Sequence, residues 1–345
     1  MADPLLESTP SIWRSSSANL LGRFTVLIIV FGFFAWQIED GAFYTPRNLE
    51  SIARQSAVYA TAALGMTLVI ITAGIDLSVG AIIALTVVGV AWILNLKTGE
   101  VFLINRYPIG LPVAAILGSI VLATLAGLAN GAMIVRFRIT PFIVTLGTMG
   151  IFRGLAKGIA DEKDIYPEVD CWISTIMDPT LTNPDRSWML LPPGVWILLV
   201  SAIGAAAILR YTRLGRHIYA VGSNEETARL CGVQVGRTKL IVYMLAGFFA
   251  GLAGLMQFSF ISGIGQPTTG ISYELFVIAA VVIGGASLMG GEGTILGSII
   301  GALLITILNM GGQQVDWPKW VQEMVIGGII IGAAGLDQLR HRGKS

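Results

Sequence analysis

The sequence predicts an all-α, polytopic integral membrane protein of about ten transmembrane helices, some of them broken or re-entrant, with both termini cytoplasmic. Three observations carry this prediction. Hydrophobic residues fill 54% of the 345 positions and charged residues only 12%, against about 25% charged in soluble domains. The apolar residues fall into runs close to the ~20 residues a helix needs to cross ~30 Å of hydrocarbon. The cations gather in alternate intervals between those runs, the pattern expected of cytoplasmic segments.

In chain order the runs are 20–38, 52–73, 79–96, 111–135, 142–159, 195–210, 240–260, 272–289, 293–310 and 320–336. The first follows Arg14 and Arg23 as a secretory signal would, but no small-residue cleavage site precedes Gln37-Ile38-Glu39, so it reads as an uncleaved span. With the N-terminus inside, the internal intervals hold Arg136 and Arg138, then Arg210, Arg213, Arg216, Arg229, Arg237 and Lys239, and finally Arg340, Arg342 and Lys344. The external intervals hold fewer cations, among them Arg54 and Lys163, mixed with acids such as Asp40, Asp161, Glu168 and Asp170. Residues 1–345 thus read as one transmembrane domain. The interval 161–193, acidic and proline-bearing, is long enough for a small external cap or docking surface.

Glycine is the second organising feature. Forty-two glycines imply close helix packing through small residues, as at Gly247, Gly251 and Gly254, or Gly297 and Gly301. Two stretches, Thr72 to Gly80 and Gly284 to Gly293, join glycine to polar groups inside an apolar frame. Both read as helix breaks, which membranes tolerate only where the backbone lines water or is buried in protein.

The longest polar interval, 212–239, reads as a folded cytoplasmic loop. Ser223-Asn224-Glu225-Glu226 matches a capping box in which Ser223 and Glu226 satisfy each other's backbone N–H groups. With Gly222 at the turn into it and Gly232 as a left-handed cap, a short helix is expected over Asn224 to Cys231. Isolated helices below about 12 residues are marginal in water, so this one needs a surface to pack against.

The functional classes narrow by exclusion. No G-x-x-x-x-G-K-[ST] phosphate loop occurs, so any ATP-driven step belongs to another chain. The two histidines, His217 and His341, stand beside cytoplasmic cations, and no H-E-x-x-H or G-x-S-x-G is present. No enzyme, metal site or cofactor is therefore expected. A net charge of +1 gives no field to attract nucleic acid. Cys171 and Cys231 are expected on opposite faces of the membrane, unable to pair. An ion-coupled carrier would want carboxylates at the midplane; Asp76, Glu274 and Glu292 fall near helix ends instead, and Asp76, followed by Ser78, reads as a helix N-cap or dipole partner. Arg153 and Lys157 read as snorkelling to the outer interface.

Four long motifs then stand in order: TAGIDLSVGAIIAL at 72–85, NGAMIVRFRITPFIVTLGTMGIFRGLA at 130–156, GRHIYAVGSNEETARLCGVQVGRTK at 215–239 and ELFVIAAVVIGGASLMGGEGTILGSIIGALL at 274–304. Through them the chain resembles the permease subunits of bacterial ATP-binding-cassette importers for monosaccharides, such as ribose, xylose, arabinose and galactose. That resemblance implies an inner-membrane permease that works with an ATPase subunit, which binds the ATP and magnesium, with a periplasmic sugar-binding protein, and with a second copy or paralogue of itself. It implies that the loop carries a coupling helix seated in a groove of the ATPase, with Gly215, Arg216, Ala220, Gly222, Ser223, Asn224, Glu225, Glu226, Ala228, Gly232 and Lys239 as its elements. It implies a translocation path shaped by the two breaks, with Asp76, Ser78, Glu274 and Ser287 along it. Thr227, Cys231 and Phe276 depart from the family pattern, the last by removing a carboxylate after Glu274-Leu275. A permease for another small solute such as branched-chain amino acids shares this architecture, and an ion-coupled carrier is the alternative outside it.

Overall fold

The computed structural model describes residues 12–169, 171–181, 186 and 188–342. The expected roles of Asp170 and Lys344 lie outside the described residues, as do the side chains of Arg14, Asp40, Arg340, His341 and Arg342.

The chain is built of helices: α1 Ile12–Gln37, α2 Pro46–Ile71, α3 Val79–Leu94, α4 Leu103–Arg106, α5 Gly110–Phe137, α6 Pro141–Ile159, α7 Pro193–Tyr211, α8 Arg213–Ser223, α9 Glu225–Leu230, α10 Val235–Phe260, α11 Tyr273–Ile283, α12 Ile295–Gln314 and α13 Lys319–Arg342. A helix occupies each of the predicted runs. Among the described residues, α2, α5, α6, α7, α10 and α12 are long and apolar enough to cross a membrane, while α3, α11 and Gly22–Gln37 of α1 are shorter apolar helices. The only strands described, β1 Lys97–Thr98 and β2 Val101–Phe102, form a small antiparallel hairpin in the interval before α4. The protein is thus an all-α, multi-pass membrane protein.

Local chemistry sets the helix starts. Thr45 caps α2 by accepting the Asn48 N–H at 3.4 Å, with Pro46 in the first turn, where its missing N–H costs nothing. Thr294 caps α12 in the same way through the Gly297 N–H at 3.1 Å.

Burial separates an inner from an outer set of helices. The apolar windows of α2, α10 and α12 are 89%, 67% and 78% buried, whereas those of α5, α6 and α7 are 33%, 28% and 33% buried. The outer helices therefore present apolar faces such as Ile143, Ile151, Val200 and Ile203 outward, as lipid-facing helices do. The predicted glycine seams are real: a Cβ at Gly247 would strike the Ala123 carbonyl, one at Gly254 would fall 2.6 Å from Thr86 Cβ, and one at Gly301 would strike the Ala280 carbonyl. Glycine there lets α10 press on α5 and α3, and α12 on α11.

One span needs correction. The run 272–289 is not one continuous helix, because α11 stops at Ile283 after 11 residues, a rise of about 16 Å at 1.5 Å per residue. Residues 262–272 before it and 284–294 after it are non-helical. The glycines break it: Gly263 and Gly270 on one side, and Gly285, Gly290 and Gly291 on the other, all adopt left-handed φ between 72° and 88°.

The described part of the interval 161–193 is fixed to the bundle. Ile165 and Gly265 exchange backbone hydrogen bonds at 3.0 and 2.7 Å, Met177 N donates to Ser259 Oγ at 2.7 Å, and buried Glu50 of α2 accepts from Thr180 Oγ1 at 2.7 Å. Arg153 does not snorkel: its guanidinium donates to the carbonyls of Pro267 and Thr269, which the irregular segment before α11 cannot satisfy within a helix.

Candidate functional site: the polar loop and the two helix breaks

The loop 212–239 contains two helices where one was expected. Thr212 caps α8 by accepting the Gly215 N–H at 3.1 Å. Gly215 is buried where α7 turns into α8, and a Cβ there would collide with the carbonyls of Ile208 and Leu209. The predicted capping box does not form. Ser223 is the last residue of α8, so its backbone is already helical; Asn224, extended at φ −161°, caps α9 by accepting the Thr227 N–H at 2.8 Å. The C-terminal cap stands as expected. Gly232 at φ +83° donates to Arg229 O, and Val233 N donates to Ala228 O, the paired bonds of a Schellman motif.

α9 is held to the protein by one face. Ala228 is buried with Val221 and Val235, with Ala220 and Val233 packed alongside. Glu225 accepts from Lys239 Nζ of α10 at 2.6 Å and from Arg229 Nη2 at 3.2 Å. The opposite face is open: Glu226, Thr227 and Arg229 are exposed, and Leu230 is 89% exposed. Arg216 of α8 is exposed beside them in the same loop.

α8 joins this loop to both breaks. Gly222 is buried so tightly that a Cβ would overlap the Ile71 carbonyl at the end of α2 and lie 2.6 Å from Gly291 N. Gly291 N itself donates to Ile71 O at 2.9 Å. Tyr219 Oη donates to Gly293 O at 2.8 Å, and burial pushes its phenol above the ordinary tyrosine range, so it remains a neutral donor. Ser287 is buried in the same turn, accepting from Met289 N at 3.2 Å while its own N–H bonds Glu292 O at 3.0 Å. Arg23 of α1 lies against Gly285 and Gly297 from the other side.

The other predicted path residues lie deeper. Asp76 is 2% exposed and is not the N-cap of α3, a position taken by Ser78. Its Oδ1 instead accepts both the backbone N–H of Ser78 at 2.8 Å and the Ser78 hydroxyl at 2.6 Å, closing an Asx turn. Asn130 of α5 donates to Ser78 Oγ at 2.8 Å, and Thr145 of α6 donates to Ile75 O at 3.2 Å, so two neighbouring helices satisfy the break. Glu274 stands in the first turn of α11 with Oε2 2.6 Å from the place a Gly80 Cβ would take, and the Gly270 carbonyl is closer still. The starts of α3 and α11 therefore meet inside the bundle, with a carboxylate near each positive helix end. Asp76, Ser78 and Glu274 share this crossing; Ser287 belongs to the α8 junction.

The sequence pattern of the family described as branched-chain amino acid transport system / permease component matches residues 48–334. The chain belongs to that family. This permease is 36% identical over 339 residues to the ribose import permease protein of Escherichia coli K12, covering 95% of each chain. It is 38% identical over 318 residues to the ribose import permease protein of Bacillus subtilis, covering 92% of this chain and 91% of the relative. It is 31% identical over 382 residues to the xylose transport system permease protein of Escherichia coli K12, covering 95% and 94%. No solved structure matches the chain.

Three contributors escape a reading of the permease sequence. Tyr219, Asn130 and the Ile71 carbonyl carry no pattern of their own: the first two are single polar residues in helical stretches, and a backbone carbonyl has no sequence signal.

Proposed function

We propose that this chain is the membrane-spanning permease of a binding-protein-dependent, ATP-driven importer for a monosaccharide or related polyol. Membership of a transport permease family and near full-length similarity to relatives named for ribose and xylose support the sugar reading. Nothing favours branched-chain amino acids beyond the family's description.

The carrying observation is the two-faced α9. One face is pinned by Ala228 and by the Glu225–Lys239 pair, and the other displays Leu230 among Glu226, Thr227 and Arg229. A short helix with an exposed apolar anchor suits a groove on a partner protein. We take that partner to be the ATPase, with Gly215, Arg216, Ala220, Gly222, Ser223, Asn224, Glu225, Glu226, Ala228, Gly232 and Lys239 forming or supporting the contact. Nucleotide-driven movement of α9 would pass through α8 to Ile71 and to the 284–293 turn.

In this reading the helices form about ten spans in the bacterial inner membrane, with the α8–α9 end and both termini cytoplasmic. Residues 161–193 face the binding protein, and a second copy or paralogue completes the pore. The path runs past the meeting of α3 and α11, near Asp76, Ser78 and Glu274, towards Ser287. The binding protein supplies tight recognition, since a pore has to let its cargo leave.

Reconstitution tests the proposal. Proteoliposomes holding the permease, its ATPase and its binding protein should take up labelled ribose or xylose only with ATP. Equal uptake by the permease alone under a proton gradient would establish an ion-coupled carrier instead.

A further inference from the structure

A cavity of about 580 Å³ opens at the end of the bundle away from α8 and α9, within the roughly 300–1,000 Å³ typical of small-molecule clefts. The N-terminal half of α2, the start of α11, the C-terminal end of α12 and the start of α13 enclose it. Its lining changes with depth. Asp316, Lys319 and Glu323 are exposed and form a charged rim. Below them stand side-chain amides, with Gln313 exposed, Gln55 half-buried and Asn309 buried. The floor is aromatic: Tyr59 meets Tyr273 edge-on at 4.9 Å between ring centroids and Phe276 at 5.8 Å.

The chemistry of these layers selects a ligand class. Gln313 Nε2 donates to Asn309 Oδ1 at 2.6 Å, which orients both amides. The Asn309 N–H groups and the Gln313 carbonyl are left with no protein partner among the described residues. A donor beside an acceptor matches neighbouring hydroxyls, each of which both donates and accepts. The C–H face of a sugar ring is apolar and suits an aromatic floor, while its hydroxyl edge would meet the amides. A free amino acid would bring two full charges into the cleft, and burying a charge without a partner is costly. Every charged side chain lining this cavity is on its exposed rim.

We propose that this cavity is a low-affinity monosaccharide site of the permease itself, which receives the sugar before it reaches the crossing of α3 and α11. The inference rests on the sugar-importer reading. With an open rim and only neutral hydrogen bonds at the amide layer, the affinity belongs in the millimolar range, weak enough for onward release.

The test uses the full-length permease in lipid nanodiscs, without ATPase or binding protein, and saturation-transfer NMR with D-ribose as probe and L-leucine as comparison. Ribose should give a saturable signal with a millimolar Kd and leucine none. Phe276→Ala and Asn309→Leu should each weaken ribose binding tenfold or more. Because Asn309 is buried, Gln313→Leu at an exposed position repeats the test, with melting temperature confirming the fold of each variant. No ribose signal from the unaltered protein, an equal signal from leucine, or unchanged binding in folded Gln313→Leu would each overturn the site. If ATP-dependent uptake by the full complex persists without an NMR signal, only the cavity site fails; if that uptake is absent, the importer reading fails whatever the NMR gives.

Discussion

Glu225 spends one carboxylate oxygen on Lys239 of α10 and the other on Arg229 of its own helix, so a residue read as a contact for another protein also ties α9 to this one. Its side chain is 43% exposed, and exposed pairs contribute only about 0.2–1 kcal/mol. Glu225→Lys should accordingly shift the melting temperature of the purified permease little, yet abolish binding-protein-stimulated ATP hydrolysis in the reconstituted complex by freeing α9. Lys239→Glu added to it should restore part of that stimulation; a double variant as inactive as the single one would mean that Glu225 acts through the partner and not through Lys239. Two glycines in the same loop make the complementary contrast. Gly232 has open space around its missing Cβ and a left-handed φ of +83°, so Gly232→Asn should be neutral and Gly232→Ala should cost about 1 kcal/mol.

At the scale of elements, α8 connects what the loop does to what the breaks do. Gly222, Tyr219 and the Ile71 carbonyl bring α8, the end of α2 and the 284–293 turn to one point. Gly222→Ala puts a methyl group into backbone, with no flexible side chain to yield, so a cost at or above the usual 1–3 kcal/mol of overpacking is expected. Thermal melting of the detergent-purified permease should show it as a clear drop, while Ser223→Ala, one residue on and exposed, should melt like the parent. This junction also marks where the sequence stops being legible. The glycine-broken stretches, the long apolar helices and the Gly232 cap follow from composition and local rules, and all are present. The N-cap of α9 lies one residue later than the predicted box because α8 extends through Ser223, which no local signal announces. The 272–289 run overlaps the break read at Gly284 to Gly293, and hydropathy, which only counts residues, carries it past Ile283, where the helix stops before the left-handed Gly285. Asp76 looked like an ordinary cap because the Ser78 hydroxyl it accepts from is held in turn by Asn130, which only the packing of α5 on α3 brings near.

For the whole molecule, two arrangements of backbone sit one above the other along the inner helices. At one end α8 and α9 meet the 284–293 turn; farther in, the starts of α3 and α11 touch through Gly80, Gly270 and Glu274. In the proposed cycle α2, a helix of 26 residues running between the α8 junction at Ile71 and the aromatic cavity at Tyr59, carries a shift of one end to the other. That coupling requires the two ends to face opposite compartments, and the two cysteines report on it. Cys231 is exposed at the end of α9, and Cys171 is partly exposed in the 161–193 interval fixed to the other end. In sealed inside-out vesicles a membrane-impermeant maleimide should label Cys231 and spare Cys171, and in right-side-out vesicles the preference should reverse. Adding the ATPase subunit to the inside-out vesicles should then slow Cys231 labelling several-fold, because α9 would be covered. Labelling of both cysteines from one side would overturn the topology, and an unchanged Cys231 rate with bound ATPase would move the coupling contact away from α9.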